Sequence, residues 1–407
     1  MELTESGPLL QTVAAGAFIC LSQTGVRLDL PLFNLLIPKS RCRCWLSISA
    51  VPSFLLLLVM LHLVFFLTLT SLANFGLAQG LNPSVRHISK EGTDEVVSRR
   101  FSHSPGMTLK ISTEFAGIEI LTNALEEITV EVIRRASLST RERESHLLDS
   151  RPLYFKADAT SLSIGDIEAT EEEVELFQRG PRKSAPRTRV QSRYKVSLPQ
   201  SCSVSILSGG GPISIQDIIG SVQMRAGAGR VRLLRIRGSI EGQNLAGSVG
   251  IEESNGPVRW LNTGGSLSIV RGSGSIEAGT SGGPVTVRHF EGSIKVESAG
   301  GAVVTEKVRG EIIATTGGGS FRLILPIELS GDILIETSGG TILVQSPRGS
   351  RFKLDADSGG GAFINTLPWV EEKPSIEGRR FGFVNGGSNQ VIRLISQGAG
   401  IRLRAAE

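Results

Sequence analysis

Glycine falls on every ninth position from Gly211 to Gly319: Gly211, Gly220, Gly229, Gly238, Gly247, Gly256, Gly265, Gly274, Gly283, Gly292, Gly301, Gly310 and Gly319. A fixed short period of this kind marks stacked structural repeats, because a flexible linker needs no register. Stretches such as "GSIEAGTSGG" (274–283) therefore read as structure rather than as Gly/Ser tether.

The residues between the glycines say what each unit is. Two places after each glycine stand Ile213, Val222, Val231, Ile240, Val249, Val258, Leu267, Ile276, Val285, Ile294, Val303, Ile312 and Phe321, all apolar. Four places after, the series Ile215, Met224, Leu233, Gly242, Ile251, Trp260, Ile269, Ala278, Val287, Val296, Thr305, Ala314, Leu323 is broken only at Gly242 and Thr305. The residue between each pair is mostly polar, as at Arg232, Glu241, Arg259, Glu277 and Lys295. Apolar–polar–apolar is the period of a strand with one buried face. So short a strand cannot bury that face alone, but it can when stacked on copies of itself.

Units 18 residues apart resemble each other more than neighbours do. Seven places after alternate glycines come Ile218, Ile236, Phe290 and Val308, whereas the other units carry Gly227, Thr263, Ser281, Ala299 and Gly317 there. The predicted fold is all-β: a parallel β-helix or β-solenoid of 18-residue coils, each made of two nine-residue units, preceded by an N-terminal apolar helix. Glycine is expected wherever a corner needs positive φ or close backbone approach. The phase slips by three residues after Gly319, in "RLILPIELS", and resumes at Gly331, Gly340 and Gly349.

The expected organisation has five parts. Residues 1–50 form an N-terminal extension or a mis-called start, and 51–79 a signal peptide or signal anchor. Residues 80–200 are strand-rich but irregular and include a charged loop at 166–195. The solenoid occupies 201–370, and 371–407 supply capping strands that protect the open end from edge-to-edge association. In the second part, "MTLKISTEFAGIEILT" (107–122) alternates like consecutive strands, and its "FAGIEI" carries the glycine-then-apolar pattern of a degenerate coil.

Residues 51–73, "VPSFLLLLVMLHLVFFLTLTSLA", contain no charged group, which is long enough to cross a bilayer as a helix. Lys39, Arg41 and Arg43 precede the run and no basic residue follows before Arg86, a bias that places the rest of the chain outside the cytoplasm. Small residues at Gly76 and Ala78, or at Ala73, suit signal cleavage; an uncleaved run would anchor the protein in the membrane. Cys20, Cys42 and Cys44 lie before the run and Cys202 alone lies after it, so the exported part has no partner for an intrachain disulfide.

Chemistry is sparse. The net charge of +4 gives no basic face for nucleic acid. A calcium-binding roll needs an Asp in every unit, and between 211 and 319 only Asp217 is present. "DADSGGG" (355–361) begins like a calcium loop, with Asp355 and Asp357, but Thr366 stands where the bidentate Glu belongs. A polysaccharide lyase or hydrolase needs clustered carboxylates, whereas Glu241 and Glu277 are two coils apart with none between. His289, beside Arg288 in a turn, reads as a surface residue. No catalytic, cofactor or metal residues are assigned, and no cofactor is expected.

The run "VSLPQSCSVSILSGGGPISIQDIIGSV", the repeated "TSGGPVTV", "SAGGAVVT" and "TSGGTILV", and the closing "VNGGSNQVIRLISQGAGIRL" resemble the bacterial putative-adhesin family of exported β-strand-repeat proteins. The resemblance covers roughly residues 105–404 and implies an adhesin-like β-helix without established catalytic residues. The sequence departs from the family in its long N-terminal extension and in "NGGS", where a third glycine is usual. The expected function is that of a non-enzymatic envelope or surface protein, periplasmic or on the cell surface, whose flat face binds a polymer or partner protein. Two outward ladders would carry the contacts: Arg232, Gly250, Ser268 and Thr286, and Glu241, Arg259 and Glu277. The alternatives are a membrane-anchored scaffold or sensor of the envelope, and a carbohydrate-active enzyme on the same frame.

Overall fold

The computed structural model describes residues 84–89, 91–167, 190–376 and 378–406. The N-terminal extension, the apolar run 51–73 with its predicted helix, and most of the charged loop 166–195 lie outside the described residues. The described chain is all-β apart from one helix, Arg141–Asp149, and its strands belong to one continuous hydrogen-bonded network.

Each glycine-led unit is one short strand, and every strand of the repeat pairs in parallel with the strand 18 residues on. Ile213–Gln216 pairs with Val231–Leu234, and that with Val249–Asn255. The alternate units form a second ladder through Val222–Ala228, Ile240–Ala246 and Val258–Asn262. Leu267–Thr280 and Val285–Ser298 run through both ladders without a break and pair over their length. After the insertion the offset becomes 21 residues, Ile312 facing Ile333 and Phe321 facing Ile342, so the three extra residues are absorbed in the connection. The beat does not continue to Gly349. The inward residues of the next strand are Phe352 and Leu354, and Arg351 two places after the glycine is exposed.

All residues of the two apolar series are buried, including the two exceptions. Gly242 is explained by its neighbour one rung on: a Cβ there would lie 2.2 Å from the indole of Trp260, which fills the space. Thr305 is fully buried in its series. The recurrent glycines have a common cause. At Gly265 φ is +90° and a Cβ would meet the Gly247 carbonyl oxygen at 2.0 Å; at Gly283 the Gly265 oxygen would be 1.6 Å away. Stacked backbones leave no room for a side chain at these corners.

The two corners are built differently. At one, the row Asp217, Arg235, Glu253, Arg271, His289, Lys307 adopts left-handed backbone with φ of 51–63°, and the next residue turns inward. Ile218, Ile236, Phe290 and Val308 are buried there. At the other corner the buried residues are polar: Ser208, Asn244, Asn262, Thr280, Ser298, Thr316 and Thr337. Each reaches three residues ahead to its own turn. The Asn262 amide donates to the Gly265 carbonyl (2.8 Å), Ser298 donates to that of Gly301 (2.9 Å), and Thr337 accepts from the Gly340 amide (2.9 Å). The small residues Thr263, Ser281 and Ala299 beside them are exposed.

Both ends interleave. Thr108–Thr113 lies between Ser161–Gly165 and Ser203–Ser208, and Ala116–Asn123 between Gln191–Pro199 and Ile213–Gln216, so the parallel ladders extend to residue 108. At the far end, Val391–Ser396 inserts between Ile333–Thr337 and Phe352–Asp357, and Ile401–Ala405 between Ile342–Ser346 and Phe363–Asn365. Antiparallel strands then cover the outermost rungs. Glu127–Ala136 covers Gln191–Pro199 at one end, and Arg379–Val384 with Trp369–Ile376 covers Phe352–Asp357 at the other. This arrangement blunts edges that would otherwise pair with further chains.

The helix begins at Thr140, whose hydroxyl accepts from the Arg143 amide, and carries Glu142 and Glu144 in its first turn. It docks through Leu148, packed with Ala136 and Val190, and through the buried Glu144. That carboxylate accepts from the Thr93 hydroxyl (2.6 Å), the Leu138 amide (3.0 Å) and Arg141 (2.8 Å). These donors, Thr93 foremost, hold its pKa down to about 2.

Candidate functional site

Because the ladders are in register, outward side chains at equal phase stand in rows about 4.8 Å apart. On one ladder the row is Ser214, Arg232, Gly250, Ser268, Thr286, Val304 and Arg322. On the other it is Lys110, Ser205, Gln223, Glu241, Arg259, Glu277 and Lys295. The structure thus brings together both sets of residues expected to stack.

Most charges on these rows, and along the corner beside them, are paired with a neighbouring rung. Arg235 grips Asp217 through two nitrogens (2.5 and 2.8 Å), which lowers the pKa of Asp217 and raises that of Arg235. Arg259 donates to Glu277 (2.9 Å) and Arg271 to Glu253 (3.0 Å), while Arg288 meets Glu306 (3.2 Å). Lys295 pairs within its own strand with Glu297 (2.9 Å), whose hydrogen bond raises the lysine's pKa. Such exposed pairs contribute roughly 0–1 kcal/mol each. They set surface pattern more than stability.

One part of the second face differs. A concavity of about 320 Å³ crosses four strands, lined by Lys110, Ser205, Gln223 and Glu241 in one row and Ser112, Leu207, Arg225 and Gln243 in the next. The long polar side chains are exposed, and Leu207 and Ser112 are buried in the floor. Among the described residues no side-chain hydrogen bond or ion pair engages Lys110, Gln223, Arg225, Glu241 or Gln243. Arg259, one rung beyond Glu241, turns to Glu277 instead.

The residues weighed for chemistry fall elsewhere. Cys202 is a free, fully buried thiol whose pKa burial pushes up to about 11, which keeps it protonated and unreactive at neutral pH. Asp355 is held by Arg379 through both oxygens (2.9 and 2.8 Å) and by Arg393 (2.9 Å), so its carboxylate is occupied by guanidinium groups; Asp357 accepts from the Gly359 amide (3.0 Å). His289 is an exposed corner residue. Glu241 and Glu277 have Arg259 between them. Among the described residues no three His, Cys, Asp or Glu side chains gather as a metal site, and no helix is long and apolar enough to cross a membrane. Sequence reasoning missed the groove, whose first strand lies outside the regular repeat. It also missed the buried Ser/Thr/Asn row, although the recurrence of "NTGG", "TSGG", "SAGG" and "TTGG" carried that signal.

No protein-family model matches the sequence, and no curated protein matches it. Among solved structures, one similar chain is a putative cell adhesion protein from Clostridium sporogenes, 9% identical, covering 76% of this chain and 100% of its own, with a TM-score of 0.16. Another is a putative adhesin from Bacteroides fragilis, 10% identical, covering 78% of this chain and 98% of its own, with a TM-score of 0.31. Superpositions this loose carry no argument about what the chain does.

Proposed function

We propose that the two ladders are faces of a β-solenoid and that the protein is an exported, non-enzymatic, adhesin-like component of the cell envelope or surface. The observation that carries this reading is the in-register stacking of outward residues over many rungs, an extended face suited to a polymer or a partner protein rather than to a small molecule. The charge-free run 51–73 behind Lys39, Arg41 and Arg43 supports export. The pairing of Arg259 with Glu277, and the engagement of Asp355 by two arginines, leave these carboxylates poorly placed for acid–base catalysis.

The test is fractionation of expressing cells with protease added to intact cells or spheroplasts. Residues 84–406 are expected outside the cytoplasm and open to protease once the envelope is breached. A soluble cytoplasmic pool of the full-length chain would overturn the reading. N-terminal sequencing of the exported form separates a cleaved leader from a retained anchor, and a retained anchor favours the scaffold or sensor alternative.

A further inference from the structure

The geometry points to the four-strand groove as a binding site for a saccharide chain, an inference that rests on the polymer-binding reading above and names its ligand class. The groove's special feature is unused hydrogen-bonding capacity. Along most of the outer rows the charged groups neutralise one another between rungs, yet Lys110, Gln223, Arg225, Glu241 and Gln243 converge on a concavity of about 320 Å³ with no side-chain partner among the described residues. Arg225 and Glu241 stand on adjacent strands in adjacent rows and still form no ion pair. Two amides, a carboxylate, a guanidinium, an ammonium and the hydroxyls of Ser205 and Ser112 supply donors and acceptors in alternation. Adjacent hydroxyl groups on a sugar ring are the ligand groups that use both at once.

Other polymers fit less well. An extended peptide adds to a sheet through a free edge. Here every strand of the groove is already paired on both sides, Thr108–Thr113 by Ser161–Gly165 and Ser203–Ser208, and Ile240–Ala246 by Val222–Ala228 and Val258–Asn262. An apolar ligand would find little more than Leu207, since Ile206 and Met224 are buried inward. Nucleic acid needs a cationic stripe, whereas two bases and one acid leave a single net positive charge. The groove crosses three strand spacings, about 14 Å, a length for several linked sugar rings rather than one.

The test uses the full chain and biotinylated tetrasaccharides of three kinds: a neutral glucan, an N-acetylglucosamine oligomer and a uronate oligomer. Saturable binding of at least one is expected, and whether the uronate binds tighter than the neutral chains reports whether Lys110 and Arg225 meet a carboxylate or only hydroxyls. Arg225→Ala should weaken binding about tenfold and Gln243→Ala severalfold. Ser205→Trp, which fills the groove floor from an accessible position, should abolish it. Arg232→Ala and Arg259→Ala, outside the groove, should leave binding within about twofold. Failure of all three sugars to bind overturns the proposal, as does binding that survives Ser205→Trp in a chain whose melting temperature is unchanged. The titration reads sugar binding alone, so a cytoplasmic location would defeat the adhesin reading without deciding this one.

Discussion

The two corners of the 18-residue repeat solve one problem by different physics. Each must reverse the chain every nine residues and leave no buried group unsatisfied. The polar corner does so locally: Asn262, Thr280, Ser298 and Thr316 each bond to a backbone group three residues ahead, so several short polar residues serve equally. The apolar corner does so by volume shared between rungs. The row Ile218, Ile236, Ser254, Gly272, Phe290, Val308 puts its largest member after its two smallest, and a Cβ at Gly272 would lie 3.0 Å from the Phe290 ring. Gly242 and Trp260 make the same exchange within a strand row. Space is conserved along the stack rather than at each position.

The largest way to break this contrast is Phe290→Ala. The ring is fully buried, and with Gly272 and Ser254 behind it nothing nearby can collapse into the hole. A loss of about 3–5 kcal/mol is expected in denaturant unfolding. A loss below about 1 kcal/mol would show that the corner does not depend on shared volume.

Thr316→Val tests the polar corner at constant shape. It removes the hydroxyl that accepts from the Gly319 amide (3.2 Å) and leaves that donor buried without a partner. The expected cost is about 1–3 kcal/mol, smaller than for Phe290→Ala because no cavity opens. A neutral result would mean that water or the backbone replaces the bond.

Acid should act elsewhere, because neither set of buried corner residues contains a titratable group. The depressed pKa of Glu144 means that the folded state favours the ionised carboxylate. Its contribution is therefore complete above the ordinary carboxylate range and is lost as pH falls from about 4.5 toward 2. Hydrogen exchange in the helix Arg141–Asp149 is expected to rise over that interval before exchange in the ladders does. Glu144→Gln should flatten the difference, and simultaneous loss of both regions would contradict a locally latched helix.

How far these features were legible in the sequence follows from their range. The strands, their inward faces and the 21-residue offset were readable because apolar–polar alternation and glycine spacing are local. Interleaving of Val391–Ser396 and of Thr108–Thr113 was not, because it depends on which distant rung a strand chooses, and alternation is the same for every choice. The helix was missed although Thr140 and the acids at Glu142 and Glu144 mark its start, since strand patterning surrounds it on both sides. The groove had no motif to find. Its residues come from four separate strands, and what distinguishes them is the absence of partners, which only a structure reveals.

The smallest expected effect comes from His289→Gly, and it sharpens the contrast by asking what the left-handed row is for. Six non-glycine residues hold φ of 51–63° at successive rungs, where an L side chain costs roughly 1–2 kcal/mol relative to right-handed backbone. Glycine removes that strain but gains freedom in the unfolded chain, which offsets about 0.4–1 kcal/mol. His289 is exposed and makes no side-chain hydrogen bond or ion pair among the described residues, so the sum should be a stabilisation below about 1 kcal/mol. Arg235→Gly, by comparison, would also lose the two-nitrogen grip on Asp217, worth roughly 0–1 kcal/mol, and should come out nearer zero. Both are read from the denaturant midpoint at unchanged slope. If His289→Gly instead destabilises by more than about 1 kcal/mol, the turn is held by its own side chains. The claim that the buried wedge of Ile218, Ile236, Phe290 and Val308 imposes it would then fail.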